Sequence, residues 1–543
     1  MSGRGDRGED ALLTPPSAAD ATAVGADGAG EDERFSQGAR RVELAYEPRY
    51  QRFIVNNKSF TQQFSHVYNK RLLGLKAAVR KAAEERWGVA ARMAASTGGG
   101  GGSSSCSSEK GIKFVDRLVN MREGDEWVVI GTTYKAMKLR PSILKEFRED
   151  RGIGMSVVVP LGSFTSEDDS LVLEDESGRV SISGPGIQCQ SLVSGMVIAV
   201  KGTVRASGEM LADDWCSAGL PPPVPPPSTT PAGFVLLVSG LLVGGKHDPL
   251  LVSLLVDFVA GYLGGAEDQE GTIARIGRVI VCGDSVAPPS AELLNGTGPS
   301  KRLNAEQQRL VASPMRELDT ILALLAAAAP VDVMPGESDP ANYTLPQQPL
   351  HPCLLRNASR FASLKRVTNP HEAKIGERVF LGSSGQPLRD MERYTTLEAE
   401  GADPTKPPCL RRLEETLEWR HMAPTAPETL GCYPFVTEDP FIIEECPDVY
   451  FAGNQPQFAT SLLEGPAGQK ARLVCVPPFA STGEAALLDL ETLDCTPLRF
   501  SNALGGGNAA SAGAAADTKA VAAQAAEDAI TSPAIESEPA AAD

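Results

Sequence analysis

Four short apolar runs set the strongest constraint on this chain: FVLLVSG (234–240), RVIVCGD (278–284), VDVMPGESDP (331–340) and VYFAGNQP (449–456). Each apolar stretch is shorter than a core helix, and each runs into Gly, Ser, Asp or Asn. Each therefore reads as a buried strand entering a tight loop. Between them lie PLLVSLLVDFVAGYLGG (249–265), read as a helix with a Gly-Gly stop, and 301–329, read as a helix ending before Pro330. ARLVCVPPF (471–479) and AALLDLETLDCTPLRF (485–500) close the region in β structure. Strands alternating with helices, then more strands, indicate an α/β layered fold over 234–502.

A proline-rich spacer, PPPVPPPSTTPAG (221–233), separates that unit from a different one. Proline blocks both helix and sheet ladder and stiffens the chain. Before it, residues 112–220 carry strand-like runs at 126–137 and 155–160, and hairpins at 171–184 and 196–215. The hairpins turn at Glu176-Ser177-Gly178 and Ala206-Ser207-Gly208. About five strands in about 100 residues fit a small oligonucleotide-binding (OB) barrel. Its aromatic supply is Trp127, Tyr134, Phe147, Phe164 and Trp215. Such barrels either stack single-stranded bases on aromatic rings or serve as protein-docking modules, and both readings stand here.

Residues 41–96 form a helical segment. Phe60, Phe64, Val67, Tyr68, Leu72, Leu75 and Val79 recur at spacings of three and four within 57–87, and Gly88 supplies the stop. Lys70, Arg71, Lys76, Arg80 and Lys81 are expected on the solvated face of an amphipathic helix, with a DNA-touching face as the alternative. Residues 97–111, with the run TGGGGGSSSCSS, read as a flexible linker. Residues 1–40 and 503–543 are poor in large apolar side chains and read as disordered tails.

Charge and cysteine usage exclude several classes. Lys+Arg number 51 against Asp+Glu 69, a net charge of -18. The N-terminal tail has 8 acids and 4 bases and the C-terminal tail 6 acids and 1 base, so the tails hold half of that charge. Gripping a phosphate backbone usually needs the opposite balance. No apolar run approaches the about 20 residues of a membrane helix, and no secretory leader is recognisable. The ten cysteines include no C-x-x-C pair, against a disulfide framework or a structural zinc site. GLLVGGK (240–246) ends in Lys246-His247 without the hydroxyl of a phosphate-binding loop. There is no G-x-S-x-G nucleophile motif.

The loops after the four buried strands are Ser239-Gly240-Leu241, Gly283-Asp284-Ser285, Gly336-Glu337-Ser338-Asp339 and Gly453-Asn454-Gln455-Pro456. In order and spacing they resemble the calcineurin-like metallophosphoesterases, whose loops carry D-x-H, G-D-x-x-[DN], G-N-H-[DE] and G-H-x-H. That chemistry needs carboxylates and imidazoles around two metals that ionise a water. Here Ser239 and Leu241 replace the first pair, and Ala287 stands where the second oxygen ligand belongs. Ser338 replaces a histidine, and Asn454 and Pro456 replace two more. None of His66, His247, His351, His371 and His421 falls in these loops. Asp284 and Asp339 remain, expected to fix loops. The resemblance implies the fold without its chemistry, no cofactor and no catalytic or metal-ligating residue; an active metal-dependent phosphodiesterase is the alternative.

The whole assembly then reads as an α+β multidomain chain: an N-terminal helical segment, an OB barrel and an inactivated calcineurin-like phosphoesterase domain. It resembles the B subunits of eukaryotic replicative DNA polymerases, and within them the small-subunit family of DNA polymerase delta. The strings that carry the resemblance are GTTYKAMKLRPSIL (131–144), LVLEDESGRV (171–180), FVLLVSGL (234–241), VDVMPGESDPANYTLPQQPLHPCLL (331–355), VTNP (367–370), RHMAPTAPETLGCYPF (420–435) and CPDVYFAGNQPQF (446–458). It implies a non-catalytic nuclear scaffold. Its partners would be the Cys-rich C-terminal module of the catalytic subunit and a further accessory subunit that links to the sliding clamp. DNA contact would be mainly indirect and membrane contact absent. The Pro-rich stretches 342–355 and 425–435 offer Tyr343, Leu345, Leu350, Tyr433 and Phe435 as interface anchors or as plugs of the chain's own core.

Overall fold

The computed structural model describes residues 41–56, 58–88, 113–140, 162–225, 227–228, 232–289, 305–396 and 405–501. The strand expected at 155–160, Phe147, the linker 97–111 and both tails lie outside the described residues.

The chain opens with a short strand, β1 (Tyr46–Pro48), and then helix α1 (Ser65–Trp87). The helix starts at Ser65 rather than near 57, and Phe60 and Phe64 lie exposed ahead of or at its start. Gly88 ends it in the left-handed conformation, as its lack of a Cβ allows. Strands β2 (Lys113–Phe114), β3 (Glu126–Ala136), β4 (Ser170–Glu174), β5 (Arg179–Ser183), β6 (Val197–Val204) and β7 (Met210–Cys216) follow. Strand β3 pairs with β6 along its first half, from Glu126↔Thr203 to Thr132↔Val197. Its second half pairs with β4, from Thr132↔Glu174 to Ala136↔Ser170. With β4–β5, β5–β7 and β6–β7 also paired, five strands close into a barrel. The two partners meet at Gly131, where a Cβ would stand 2.7 Å from the Glu174 carbonyl oxygen, so the first residue of the GTTYKAM string must be glycine. Both expected hairpins form around their expected turns.

The remaining strands are β8 (Phe234–Val238), β9 (Ile276–Cys282), β10 (Val331–Met334), β11 (Leu364–Arg366), β12 (His371–Ile375), β13 (Arg378–Ser383), β14 (Val449–Ala452), β15 (Ala459–Glu464), β16 (Lys470–Cys475), β17 (Glu484–Asp489) and β18 (Cys495–Arg499). They build two six-stranded sheets, ordered β11-β10-β9-β8-β17-β18 and β1-β12-β13-β14-β16-β15. Strands β8, β9 and β10 run parallel, as do β13, β14 and β16. Their two-residue period sorts the apolar side chains by face. Val235, Leu237, Ile280 and Cys282 meet Phe380, Phe451 and Val474 between the sheets. Leu236, Val238, Val279 and Val281 face helices α2 (Leu250–Ala260) and α3 (Ala305–Ala328). On the opposite side, Tyr450, Ala452 and Leu473 pack with Leu388 of α4 (Gln386–Tyr394) and with Leu410, Leu413 and Leu417 of α5 (Pro408–Glu418). The layers run helix, sheet, sheet, helix, and each fully buried Leu, Val or Phe contributes about 1.5–3 kcal/mol of transfer free energy.

Helix α2 ends at Gly261 rather than at Gly264-Gly265, because Gly261 takes the left-handed conformation. Gly265 instead caps the start of the next short helix. The edge strands β11 and β15, the inner strand β12 and helices α4 and α5 carried no expectation; their apolar runs are short and broken by charge. No helix of the described residues is long and apolar enough to cross a membrane.

Candidate functional site

The parallel strands deliver their loops to one end of the sandwich, where sites form in layered α/β folds. After β8, Ser239 is fully buried; its hydroxyl donates toward the Val476 and Pro477 carbonyls at 3.1 and 3.0 Å and accepts the Asn454 backbone N–H at 2.9 Å. Leu241 is buried in the core beneath α2 and α3. After β9, Gly283 and Asp284 both have positive φ, 85° and 53°. Asp284 Oδ1 accepts from the Ser338 backbone N–H at 3.0 Å and hydroxyl at 3.3 Å, and its Oδ2 lies 3.6 Å from the Arg389 guanidinium of α4. Arg389 also pairs with Glu337 at 3.0 Å. After β10, Asp339 accepts from the backbone N–H groups of Val286 at 2.9 Å and Gly336 at 2.8 Å. Burial pushes its carboxyl up to about 6, the backbone donors oppose that, and the neighbouring Asp284 adds to it. After β14, Asn454 (φ 53°) donates to the Ser384 carbonyl at 3.0 Å and Gln455 to the Gly453 carbonyl at 2.8 Å, with Pro456 following. All four expected loops therefore converge, with Gly336 close enough to Asp284 that a Cβ would stand 2.1 Å from its backbone nitrogen.

An amide network that the sequence did not single out underlies these loops. Gln347 donates to the Gly336 carbonyl at 2.9 Å. Asn369 donates to Gln347 Oε1 at 2.8 Å and to Gln386 Oε1 at 3.0 Å, and its own oxygen accepts the Ser384 N–H at 2.9 Å. Gln386 returns a bond to Gln347 at 3.0 Å. The three amides satisfy one another in a water-poor site. The available signal was the pair of strings LPQQP and VTNP, which set Gln347 between two prolines and Asn369 directly before one.

The histidines sit apart from the four loops' own side chains. His66, His247 and His351 are exposed, His371 lies buried 3.5 Å from Asp332, and His421 belongs to a second polar cluster. That cluster corrects the reading of α1: Arg71 is 0% exposed instead of lying on a solvated face. Val67, Arg71, Leu75, Val79 and Ala83 form one buried stripe at a spacing of four, the signal that separates Arg71 from Lys70 or Arg80. Arg71 donates to Asp439 Oδ2 at 2.8 Å, to the Gly195 carbonyl of the barrel at 3.0 Å, and to the Pro424 and Ala426 carbonyls at 2.7 Å each. His421 Nδ1 accepts the Ala423 N–H at 3.2 Å, which leaves Nε2–H to donate to Asp439 at 2.9 Å. Burial, then the neighbouring Arg71, lowers His421 to about 4 despite Asp439. Burial alone would raise Asp439, but Arg71 and His421 outweigh it and hold its carboxyl well below the usual range. Lys135 makes a second tie: buried on β3, it donates to the Tyr394 carbonyl of α4 at 2.8 Å.

The five candidate anchors divide. Leu345 and Leu350 are 2% and 1% exposed and belong to the chain's own cores, because the rigid proline-rich loop turns them inward. Tyr343 is 81% exposed beside Gly431. Tyr433 is half-buried, its ring centroid 5.4 Å from Phe60 and 5.1 Å from Phe435. In the barrel, Trp127 donates to the Arg122 carbonyl, Trp215 packs partly into the interior, Tyr134 lies under Arg179 and Phe164 stacks on Tyr394.

The barrel matches the family described as DNA polymerase delta subunit OB-fold domain over residues 63–215. The sandwich matches the family of DNA polymerase alpha/epsilon B subunits over residues 235–460. The DNA polymerase delta small subunit of Oryza sativa subsp. japonica is 42% identical over 388 residues, 71% of this chain and 86% of that protein. The chain belongs to the DNA polymerase delta small subunit family. The family's small subunit from Arabidopsis thaliana is 41% identical over 389 residues, 71% of this chain and 84% of its own. DNA polymerase delta subunit 2 of Drosophila melanogaster is 34% identical over 464 residues, covering 85% of this chain and 98% of the fly protein.

Proposed function

We propose that this chain is a non-catalytic accessory subunit of DNA polymerase delta, a nuclear scaffold in DNA replication and repair synthesis. The catalytic subunit's Cys-rich C-terminal module and a further accessory subunit linking to the sliding clamp are its partners. Membership of the delta small subunit family carries this reading. The loop chemistry supports the non-catalytic part. A dinuclear hydrolytic centre needs several carboxylate and imidazole donors aimed at one point. The four loops offer no imidazole, and Asp284 Oδ1 and both Asp339 oxygens already accept N–H or O–H bonds. Arg389 brings a positive charge to Asp284 where a metal would bring its own. This donor set does not fit two metal ions, and among the described residues no group of three or more His, Cys, Asp or Glu is placed to hold one. The fold as a layered sandwich with a vanished metallophosphoesterase site, in domains 112–220 and 234–502, is part of the same proposal.

The proposed docking surface is the aromatic patch of Tyr343, Phe60, Tyr433 and Phe435, drawn from three separate chain segments. Exposed Tyr343 and Phe60, backed by the half-buried Tyr433 and Phe435, lose little entropy on docking. Co-expression with the catalytic subunit's C-terminal module tests both levels. A stable stoichiometric complex is expected, and Tyr343→Ala with Phe60→Ala weakens it about tenfold or more. No complex with either partner overturns the assignment; an unaffected complex overturns the surface alone.

A further inference from the structure

A groove of about 910 Å³ opens beside the loop cluster, between the loops after β8 and β9, helix α3 and the segment 353–356. Its charge is opposite to that of the whole chain. Lys246, Arg316 and Arg356 line it, all exposed, and none has an ion-pair partner among the described residues. Among the described residues the one acid in the lining, Asp319, is buried and spends its oxygens on the Asn357 and Ala358 backbone N–H groups at 2.9–3.1 Å. Asp248 and Glu317 lie in the adjoining smaller cavity, which shares Leu242 and His247 with the groove. The groove wall is aliphatic: Leu310 and Val311 of α3 are 51% and 37% exposed there, with Pro314 and Leu354 beside them.

Three unpaired cations around an aliphatic wall favour an acidic, amphipathic peptide over nucleic acid. Single strands bind by stacking bases on aromatic rings, and among the described residues no Phe, Tyr or Trp lines this groove. Helix-in-groove recognition instead reads apolar anchors at successive turns, with charge complementarity setting the register. We infer that the groove docks an acidic amphipathic segment of a partner protein, its apolar face against Leu310, Pro314 and Leu354 and its carboxylates toward Lys246, Arg316 and Arg356. The surface is separate from the Tyr343 patch and does not depend on it.

The test uses the full chain and a fluorescently labelled helix-forming peptide with Leu on one face and Glu on the other. A twin peptide carries Lys in place of Glu, and a labelled single-stranded oligonucleotide is the third probe. The Glu peptide binds, and added salt weakens it. Replacing Lys246→Glu, Arg316→Glu and Arg356→Glu together weakens it about tenfold or more and transfers preference to the Lys twin. The thermal unfolding of this triple variant matches the parent, since the three side chains are exposed, and Tyr343→Ala leaves peptide affinity unchanged. Equal binding of both peptides to the parent chain, or equal binding of the Glu peptide to parent and triple variant, overturns the inference. So does an oligonucleotide that displaces the peptide and loses its own affinity in the triple variant, which reassigns the groove to nucleic acid.

Discussion

Two buried polar clusters in this molecule handle their carboxylates in opposite ways. At the loop cluster, Asp339 is held by backbone N–H groups from its own and a neighbouring loop, with no cation in contact among the described residues, and burial keeps its proton affinity high. At the α1 junction, Asp439 meets a guanidinium and an imidazole, and its proton affinity falls. The first arrangement fixes the shape of a loop. The second joins a helix, the barrel at Gly195 and the sandwich at Pro424 and Ala426, so its loss is felt across elements far apart in sequence.

The sharpest way to break this contrast is Arg71→Leu. It leaves Asp439 buried without its main cation and strips donors from three carbonyls, and costs about 3–5 kcal/mol by denaturant unfolding. Lys70→Ala, one residue away, stays within about 0.5 kcal/mol. Gly195→Ala comes next, because a Cβ there would stand 2.0 Å from the Pro424 carbonyl oxygen on a backbone with φ of +87°. A loss of about 2–3 kcal/mol is expected in the same assay, with Gly124→Ala, whose Cβ meets open space, losing less.

The pH dependence separates the clusters by sign. His421 has a lowered folded value of about 4, so its contribution is complete above the unfolded value near 6.5 and is lost as pH falls toward 4. His421→Gln destabilises the chain at pH 7, and the gap to the parent narrows by about 2 kcal/mol at pH 5. Asp339 has a raised value of about 6, so its contribution is complete below the unfolded carboxylate range and is lost as pH rises through 6. For Asp339→Asn the gap to the parent therefore widens on acidification from pH 7 to pH 5, by about 1 kcal/mol. Denaturation midpoints of both variants at the two pH values check this; gaps that move in the same direction would erase the distinction. The smallest effect is Tyr343→Ala, which changes the stability of the isolated chain by less than about 0.5 kcal/mol.

The parallel strands and their loops were legible because a buried strand between helices has little freedom: it must be apolar on both faces and must end in a small or polar turn. Ser239, Asp284, Asp339 and Asn454 were found that way. Arg71 was not, because a positive charge among other positive charges reads as solvent-facing, and only the spacing-of-four stripe reveals it. Gln347, Asn369 and Gln386 were missed for a related reason: amides carry no periodicity, and their partners are separated by 17 to 39 residues. Leu345 and Leu350 looked like anchors because a proline-rich loop can present or bury its leucines, and sequence does not choose between the two.

Strand β1 and Arg41 come early in the chain yet belong to the sandwich. Tyr46 pairs with Ile375 at a sheet edge, and Arg41 donates to the carbonyls of Ile273 and Ile276. A ribosome making this protein releases residues 41–48 long before the strands that receive them. The barrel can close while synthesis continues. The sandwich has to wait for β17 and β18 and then recruit its first strand across the finished barrel, so a nascent chain stalled short of residue 484 holds an open, unpaired sheet.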